Sequence, residues 1–460
     1  MIGDFFPEVL LFCYCVTVML LKRFRQMEIK WQPILLLAAV ACFIGGDDSQ
    51  KSYLLEYRYY ESLLKVTVLI TAFLICHFTN ESDFREHVLL VLSTLGCIAT
   101  FSSCNLVSML CSLELSVVPI YFVIAQVLAA SVLSANARAA RTIVYGIAST
   151  LIFVVSICLM YVSTRFSNFS DIRYAFSFFP KQDNLILVAS TLMLLSICMK
   201  IGIFMCHSWI IDVLENKTSS TLMILGVLRF SIIISAYKLL TSVLYHIDIS
   251  GIVIILSCIS IVFGSVLLTF SKRIKKIIWY LCVCHSGIVL LCCSCKTYTA
   301  MRSIVCMALS DLISISGILM FLLAIKKSSN KDIEHIRDLN SLSKWDTQMA
   351  ISLSVFFISM FGLLPLIGFW GKYYALLSLM EKEFLYPIIS LVFSLLISLI
   401  CAAKLLGAIW FGEPDDNHSF RVNDDTLIKV INLLPYLAVT SIPFALKIAY
   451  LMRIDLYFVR

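Results

Sequence analysis

Residues 347–378 read TQMAISLSVFFISMFGLLPLIGFWGKYYALLS. An apolar run of this length exceeds the roughly 20 residues a helix needs to cross the hydrocarbon core of a bilayer. It also carries Gly362, Pro365, Gly368 and Gly371, so the helix it forms is expected to be broken or kinked. Immediately after the last glycine comes Lys372. A charge at mid-membrane costs at least about 2.5–3.5 kcal/mol on insertion scales. An interrupted span that carries a cation is therefore a feature with a purpose, and the rest of the chain is read outward from it.

The same character extends along the 460 residues. Apolar and aromatic residues make up 60% and charged residues 14%, against about 45–50% and about 25% in soluble domains. Mean hydropathy is +0.94. These values exclude a water-soluble enzyme, a disordered chain, a nucleic-acid module and a secreted disulfide scaffold. The 18 cysteines lie mostly inside apolar runs, as do Cys292, Cys293 and Cys295. Pairs such as Cys282 and Cys284 lack the spacing of a zinc or iron–sulfur site, so they read as small apolar helix residues.

Fourteen spans are expected, at about 5–22, 31–47, 62–78, 87–103, 105–126, 140–164, 184–206, 221–245, 250–270, 275–295, 301–325, 347–378, 384–411 and 430–452. The first is not read as a cleaved signal peptide, because Asp4 and Glu8 stand where positive charge is required and no A-x-A site follows. Spans 7 and 12 are the irregular ones. Gly202 lies in span 7, with His207 and Trp209 beyond its apolar run.

Loop charge sets the orientation. With the N-terminus outside, inner segments carry 19 Lys and Arg, including the cluster Lys272, Arg273, Lys275 and Lys276. Outer segments, where Lys65 and Arg173 are counted, carry 11. Both termini are thus expected on the outer, periplasmic side.

Beyond the cations at span ends, which are counted with the loops, six fall deep inside spans: Lys200, Arg229, Lys238, Lys372, Lys404 and Lys447. Glu114, His285 and Asp311 do so as well. Each is expected to face the bundle interior, with a partner or water. Their placement suggests a duplication. If spans 4–8 and 9–13 are two sets of five, the odd number inverts the second set. Glu114 and His285 then occupy the second helix of each set, Lys200 and Lys372 the fourth, and Arg229, Lys238 and Lys404 the fifth. Interrupted helices at matching positions of inverted repeats mark transporters. The expected organisation is a three-helix segment (1–86), a first repeat (87–246), an inverted second repeat (247–411), and a C-terminal loop and helix (412–460).

The chemistry suits protons. Burial disfavours the charged form of a lysine and a nearby carboxylate favours it, so a lysine between the two can gain and lose a proton. Glu114 is the natural partner of Lys200. His285 can relay a proton without large tuning. Lys238 is read as approaching the outer interface, and Lys447 and Asp311 as local pairs or interfacial residues. No dinucleotide fingerprint, paired haem histidines or Cys₄ cluster points to a redox centre.

These residues sit in runs that resemble a known family. Ser112-Leu-Glu114-Leu-Ser-Val-Val-Pro119 resembles the fifth-helix segment of the antiporter-like membrane subunits of respiratory complex I, the NADH–quinone oxidoreductase. Lys200-Ile-Gly-Ile-Phe-Met-Cys-His207-Ser-Trp209 resembles their seventh-helix segment, and Asp212-Val213 follows as in the N type. Phe263-Gly264, Lys275-Lys276, Tyr280 and His285-Ser-Gly287 resemble the tenth-helix run. Leu364-Pro365-Leu-Ile-Gly368-Phe-Trp-Gly371-Lys372 resembles the twelfth. Phe6-Pro-Glu8 and Trp410-Phe411-Gly-Glu-Pro414 fit the same type.

The resemblance implies an all-α integral membrane subunit that contributes a proton path to a translocase. Glu114, Lys200 and Lys372 would be its ionisable residues on helices 5, 7 and 12. It implies no cofactor on this chain. NADH, FMN, iron–sulfur clusters and a quinone would belong to other subunits. The implied partners are neighbouring antiporter-like and small membrane subunits and the lipid bilayer, with no nucleic acid. The implied location is a bacterial inner membrane, the mitochondrial inner membrane being the alternative. Two other functions stay open: a stand-alone cation/proton antiporter, a class that shares the glutamate and lysines, and a non-conducting structural subunit, which the departures support. Ile211 replaces the family's proline, and the helix-8 lysine falls on Phe230, with Arg229 one residue earlier. A guanidinium does not cycle its proton, so Arg229 in that role holds charge only.

Overall fold

The computed structural model describes Leu11 and residues 59–78, 84–130, 133–178, 184–204, 206–209, 219–243, 250–329 and 333–413. Among them there is no strand, only the isolated bridges Asn105–Asn168 and Arg273–His335. The helices of ten residues or more are α1 (Tyr59–Phe78), α2 (Phe84–Ser102), α3 (Leu106–Ala130), α4 (Leu133–Thr164), α5 (Phe169–Phe178), α6 (Asn184–Ile201), α7 (Ser219–Ser242), α8 (Ser250–Phe270), α9 (Ile274–Cys295), α10 (Tyr298–Ser329), α11 (Thr347–Phe361), α12 (Ile367–Glu381) and α13 (Leu385–Phe411). Seven are long and apolar enough to cross a membrane. A helix satisfies its own backbone, which is what a lipid environment demands.

Eleven of the expected spans fall on these helices, and 250–270 coincides with α8. The other three (5–22 apart from Leu11, 31–47 and 430–452) lie outside the described residues. Three differences carry physical meaning. The apolar window of span 6 is 140–164 as expected, but its helix α4 already begins at Leu133, because Ala and Arg are good helix formers. The short α5 lies in what the sequence reads as a loop. Its apolar residues alternate at helical spacing, and Ile172 and Phe176 are buried. Lys65, counted above as an outer-segment cation, is inside α1 with its side chain fully buried.

Two compact units divide the chain. The first holds residues 1–200, 223–248 and 451–460, and the second 201–222 and 249–450. Within the first, one end is closed by two turns stitched together. Leu106 N donates to Ser167 O at 3.0 Å, and Phe169 N donates to Cys104 O at 3.0 Å. Within the second, α10 is buried along its whole apolar window and α9 nearly so, and both are surrounded by helices with apolar outer faces. Ile255 and Ile259 on α8, and Ile389 and Leu396 on α13, are exposed. This arrangement, apolar outside with serines and charges inside, is what a lipid-facing surface produces. Small residues permit close helix crossings. A side chain at Gly287 would come within 2.7 Å of Ile261 Cγ1 and 2.9 Å of Ser257 O on α8.

Span 12 is broken as expected. Helix α11 ends at Phe361, Gly362 takes φ +73° as its cap, and α12 starts at Ile367. The left-handed conformation costs an L-residue roughly 1–2 kcal/mol, and glycine escapes it. Span 7 breaks in the same way. α6 stops at Ile201, Gly202 has φ +73°, and residues 208 and 209 are again helical.

Candidate functional site

In the first unit, α3, α4 and α6 each contribute one polar side chain to a buried cluster. Lys200, the penultimate residue of α6, donates from Nζ to Glu114 Oε1 at 2.5 Å. The lysine side chain is 5% exposed and the glutamate 22%. Thr150 on α4 donates to the same oxygen at 2.9 Å, and Lys200 Nζ reaches Thr150 Oγ1 at 3.4 Å. Thr150 also lies 2.9 Å from Gly146 O, so its single proton is shared between two acceptors. The carboxylate thus has two donors, one charged and one neutral. Such charge-assisted bonds are the strong ones, and they offset the cost of taking both charges out of water. Glu114 and Lys200 are brought together as the sequence anticipates. Thr150 carries no signal of its own among the many hydroxyls of these spans.

Helix α7 supplies two further cations of this unit, Arg229 buried and Lys238 partly so. Arg229 is 5% exposed and Phe230 is fully buried, its ring 5.6 Å from that of Phe101. Phe230, where the resemblance puts the family's lysine, is an aromatic core residue, and the adjacent guanidinium lies inside. Lys238, two turns further on, forms an ion pair with Glu61 at 3.1 Å. It also donates to the carbonyls of Phe101 and Ser103. Glu61 was missed from sequence because it stands at the rim of the third span, where an acidic residue reads as a solvated helix start.

In the second unit, His285 on α9 and Asp311 on α10 meet at 2.6 Å between Nδ1 and Oδ1, each 1% exposed. Asp311 is therefore a local pair, as anticipated, and its partner is the very histidine singled out as a relay. A carboxylate on one ring nitrogen fixes the ring's orientation and tautomer.

Lys372 on α12 is 4% exposed and donates to Phe361 O at 2.7 Å. That carbonyl is one of the last of α11, left without an intrahelical donor by the break. Helix C-termini carry partial negative charge, so the broken span builds a cation-binding end for its own lysine. Gly362 completes the fit, because a Cβ there would come within 2.7 Å of Lys372 Cδ and 3.1 Å of its Nζ. Asp311 lies within electrostatic reach of Lys372. Ser303 ties the following turn, donating to Gly371 O at 2.7 Å.

Lys404 departs from expectation. It is exposed on α13, where Leu396 and Ile400 are exposed as well. Mid-span cations were expected to face inward. This one does not, because at its position the inward stripe of α13 is occupied by Cys401, Ala402 and Leu405. Lys447 lies outside the described residues. Among the described residues no group of three His, Cys, Asp or Glu could hold a metal ion.

Known proteins resemble this chain. Residues 103–398 match the family model described as NADH:quinone oxidoreductase/Mrp antiporter, TM. The chain is 24% identical over 422 residues to NADH-quinone oxidoreductase subunit N 1 of Thermodesulfovibrio yellowstonii, covering 89% of this chain and 90% of the relative. It is 25% identical over 479 residues to NADH-quinone oxidoreductase subunit N of Ruthia magnifica, with 96% of each covered. Among solved structures, a chain of Thermus thermophilus respiratory complex I with bound aureothin matches with TM-score 0.79 at 18% identity, covering 95% of this chain and 96% of that one. A chain of the Mrp complex from Dietzia matches with TM-score 0.80 at 14% identity, covering 98% and 95%. Those two likenesses establish the fold. With a family model spanning residues 103–398, this integral membrane chain belongs to the NADH:quinone oxidoreductase/Mrp antiporter transmembrane family.

Proposed function

We propose that this chain is the N-type membrane subunit of a proton-translocating NADH–quinone oxidoreductase, and that Glu114, Lys200, His285 and Lys372 carry its proton path. Electron transfer from NADH to quinone, with FMN and iron–sulfur clusters, falls to partner subunits. The membrane is a bacterial inner membrane, with both termini on the outer side. The observation that carries the reading is the pair of buried lysines, Lys200 on the Glu114 carboxylate and Lys372 on the open end of a broken helix.

Proton movement follows from the way each is held. Lys200 donates to the Glu114 carboxylate. A nearby charge that draws the carboxylate away leaves an ammonium in low dielectric with no counter-charge, a state that sheds its proton. His285, oriented by Asp311, accepts and passes protons through its second ring nitrogen. Lys372 receives them against the Phe361 carbonyl and within the field of Asp311. Arg229 supplies fixed positive charge and moves no proton. Lys404 has no part in the path.

The test is Lys372→Ala and Glu114→Ala in the native complex, with quinone reduction and protons moved per electron measured together. Full turnover with normal pumping in both variants would defeat the assignment. A second reading, a stand-alone cation/proton antiporter, is favoured by the match to the Mrp complex chain. It predicts cation-driven proton exchange by the chain in vesicles free of NADH-oxidising subunits. Relatives named subunit N across nearly the whole length favour the first.

A further inference from the structure

The proposed path leaves a second set of buried charges in the first unit unused. Glu61 is 3% exposed, and Lys65, one turn along the same face of α1, is fully buried. Lys238 of α7 bonds Glu61 at 3.1 Å and is 15% exposed at its side chain. Its remaining donors go to the carbonyls of Phe101 and Ser103, where α2 gives way to the turn before α3.

The place of this cluster in the bundle is what gives it meaning. Glu61 is two residues from the start of α1, and Lys238 four from the end of α7. Both therefore lie within about one turn of the bundle end where residues 103–105 meet 167–169. Arg173 of α5 reaches the same end, donating to Thr241 O at 3.4 Å. Glu114, eight residues into α3 from Leu106, lies about 12 Å deeper at 1.5 Å per residue. Lys65 stands about 6 Å inward of Glu61 by the same measure. Counted from that end, Glu61, Lys65 and Glu114 thus stand at increasing depths along their own helices.

A purely stabilising role accounts poorly for this. Buried ion pairs contribute little net stability over apolar residues of similar volume, and side chains near a helix end can reach water without being enclosed. By the loop-charge count this end faces the outer side.

We propose that Glu61 and Lys238, with Lys65 one turn deeper, form an outward proton relay belonging to the first unit. The inference rests on the proton-path reading above. The Lys238 ammonium passes its proton to Glu61 Oε1, leaving an amine and a carboxylic acid. The acid releases the proton to water at the bundle end and becomes a carboxylate again. The amine takes the next proton from the interior, where Lys65 is the next titratable group along α1. Only N–H and O–H bonds are made and broken, and nothing is oxidised or reduced.

The decisive variant is Lys238→Arg, made in the native complex beside Glu61→Gln, Glu61→Asp and Glu114→Ala. Arginine keeps the ion pair and loses proton exchange. The relay predicts that Lys238→Arg and Glu61→Gln each lower protons moved per electron by at least about twofold with the complex assembled, while Glu61→Asp retains pumping. Wild-type pumping by Lys238→Arg makes the pair structural and overturns the relay. If Glu61→Gln fails to assemble, Lys238→Arg alone decides. Impaired pumping in Glu114→Ala with normal pumping in Lys238→Arg sinks only the relay. Normal pumping in Glu114→Ala, with Lys372→Ala normal as well, sinks the underlying reading, and the relay with it.

Discussion

The two units each bury a lysine at the break of an interrupted helix, but they hold it by different means. Lys200 is held by a side-chain carboxylate from another helix, with Thr150 as a third member. Lys372 is held by a main-chain carbonyl of its own broken span. A carboxylate can swing away on a rotamer change, whereas a helix-end carbonyl stays where the backbone puts it. The first arrangement suits a switchable site and the second a fixed one, whose lysine is tuned from a distance by Asp311.

That contrast can be broken by substitution, and the largest effect is expected at the fixed site. Lys372→Ala removes the cation held at its break and should abolish this chain's own share of the protons moved per electron. The check is a proton-pumping assay normalised to quinone reduction.

Next comes the switchable site. Glu114→Ala strands the Lys200 ammonium, and breaking a buried pair from one side costs about 3–5 kcal/mol. Lys200→Met in that background should recover part of the loss, because it removes the stranded charge. Thermal unfolding of the singles and the double completes the cycle. Additive losses would mean that the pair is not coupled.

A smaller effect is expected from Gly362→Ala. It forces a left-handed L-residue, at about 1–2 kcal/mol, and drives a methyl against the Lys372 side chain. The expected readouts are a lowered unfolding temperature and impaired pumping together. Asp311→Asn sharpens the comparison further. The amide keeps a hydrogen-bonding group beside His285 but removes the charge that reaches Lys372. Pumping should fall while Glu114-dependent stability is unchanged. The smallest effect belongs to Lys404→Gln, which should leave pumping within about twofold of wild type, since the side chain is exposed.

Much of this was legible from residue types alone. Charges inside apolar runs stand out because membrane insertion penalises them, so Glu114, Lys200, His285 and Lys372 could be named before any geometry was known. Gly202 in span 7 and the cluster of Gly362, Pro365, Gly368 and Gly371 in span 12 announced the breaks for a similarly local reason. Glu61 and Lys65 escaped notice because they sit where a span meets its loop, and a linear reading assigns such charges to water. Thr150 escaped because hydroxyls in membrane helices usually bond their own backbone, and only the packing of α4 against α3 distinguishes it.

The sequence by itself determined that this chain crosses a membrane as helices, where two of them break, and which groups pay for being there. Those outcomes depend on length, hydropathy and backbone conformation, which are properties of short segments. Only the tertiary structure decided the pairings, that is, which carboxylate meets which cation and which lysine turns outward. A helix commits a side chain to a face, but the identity of the neighbour on that face is set by how distant helices pack.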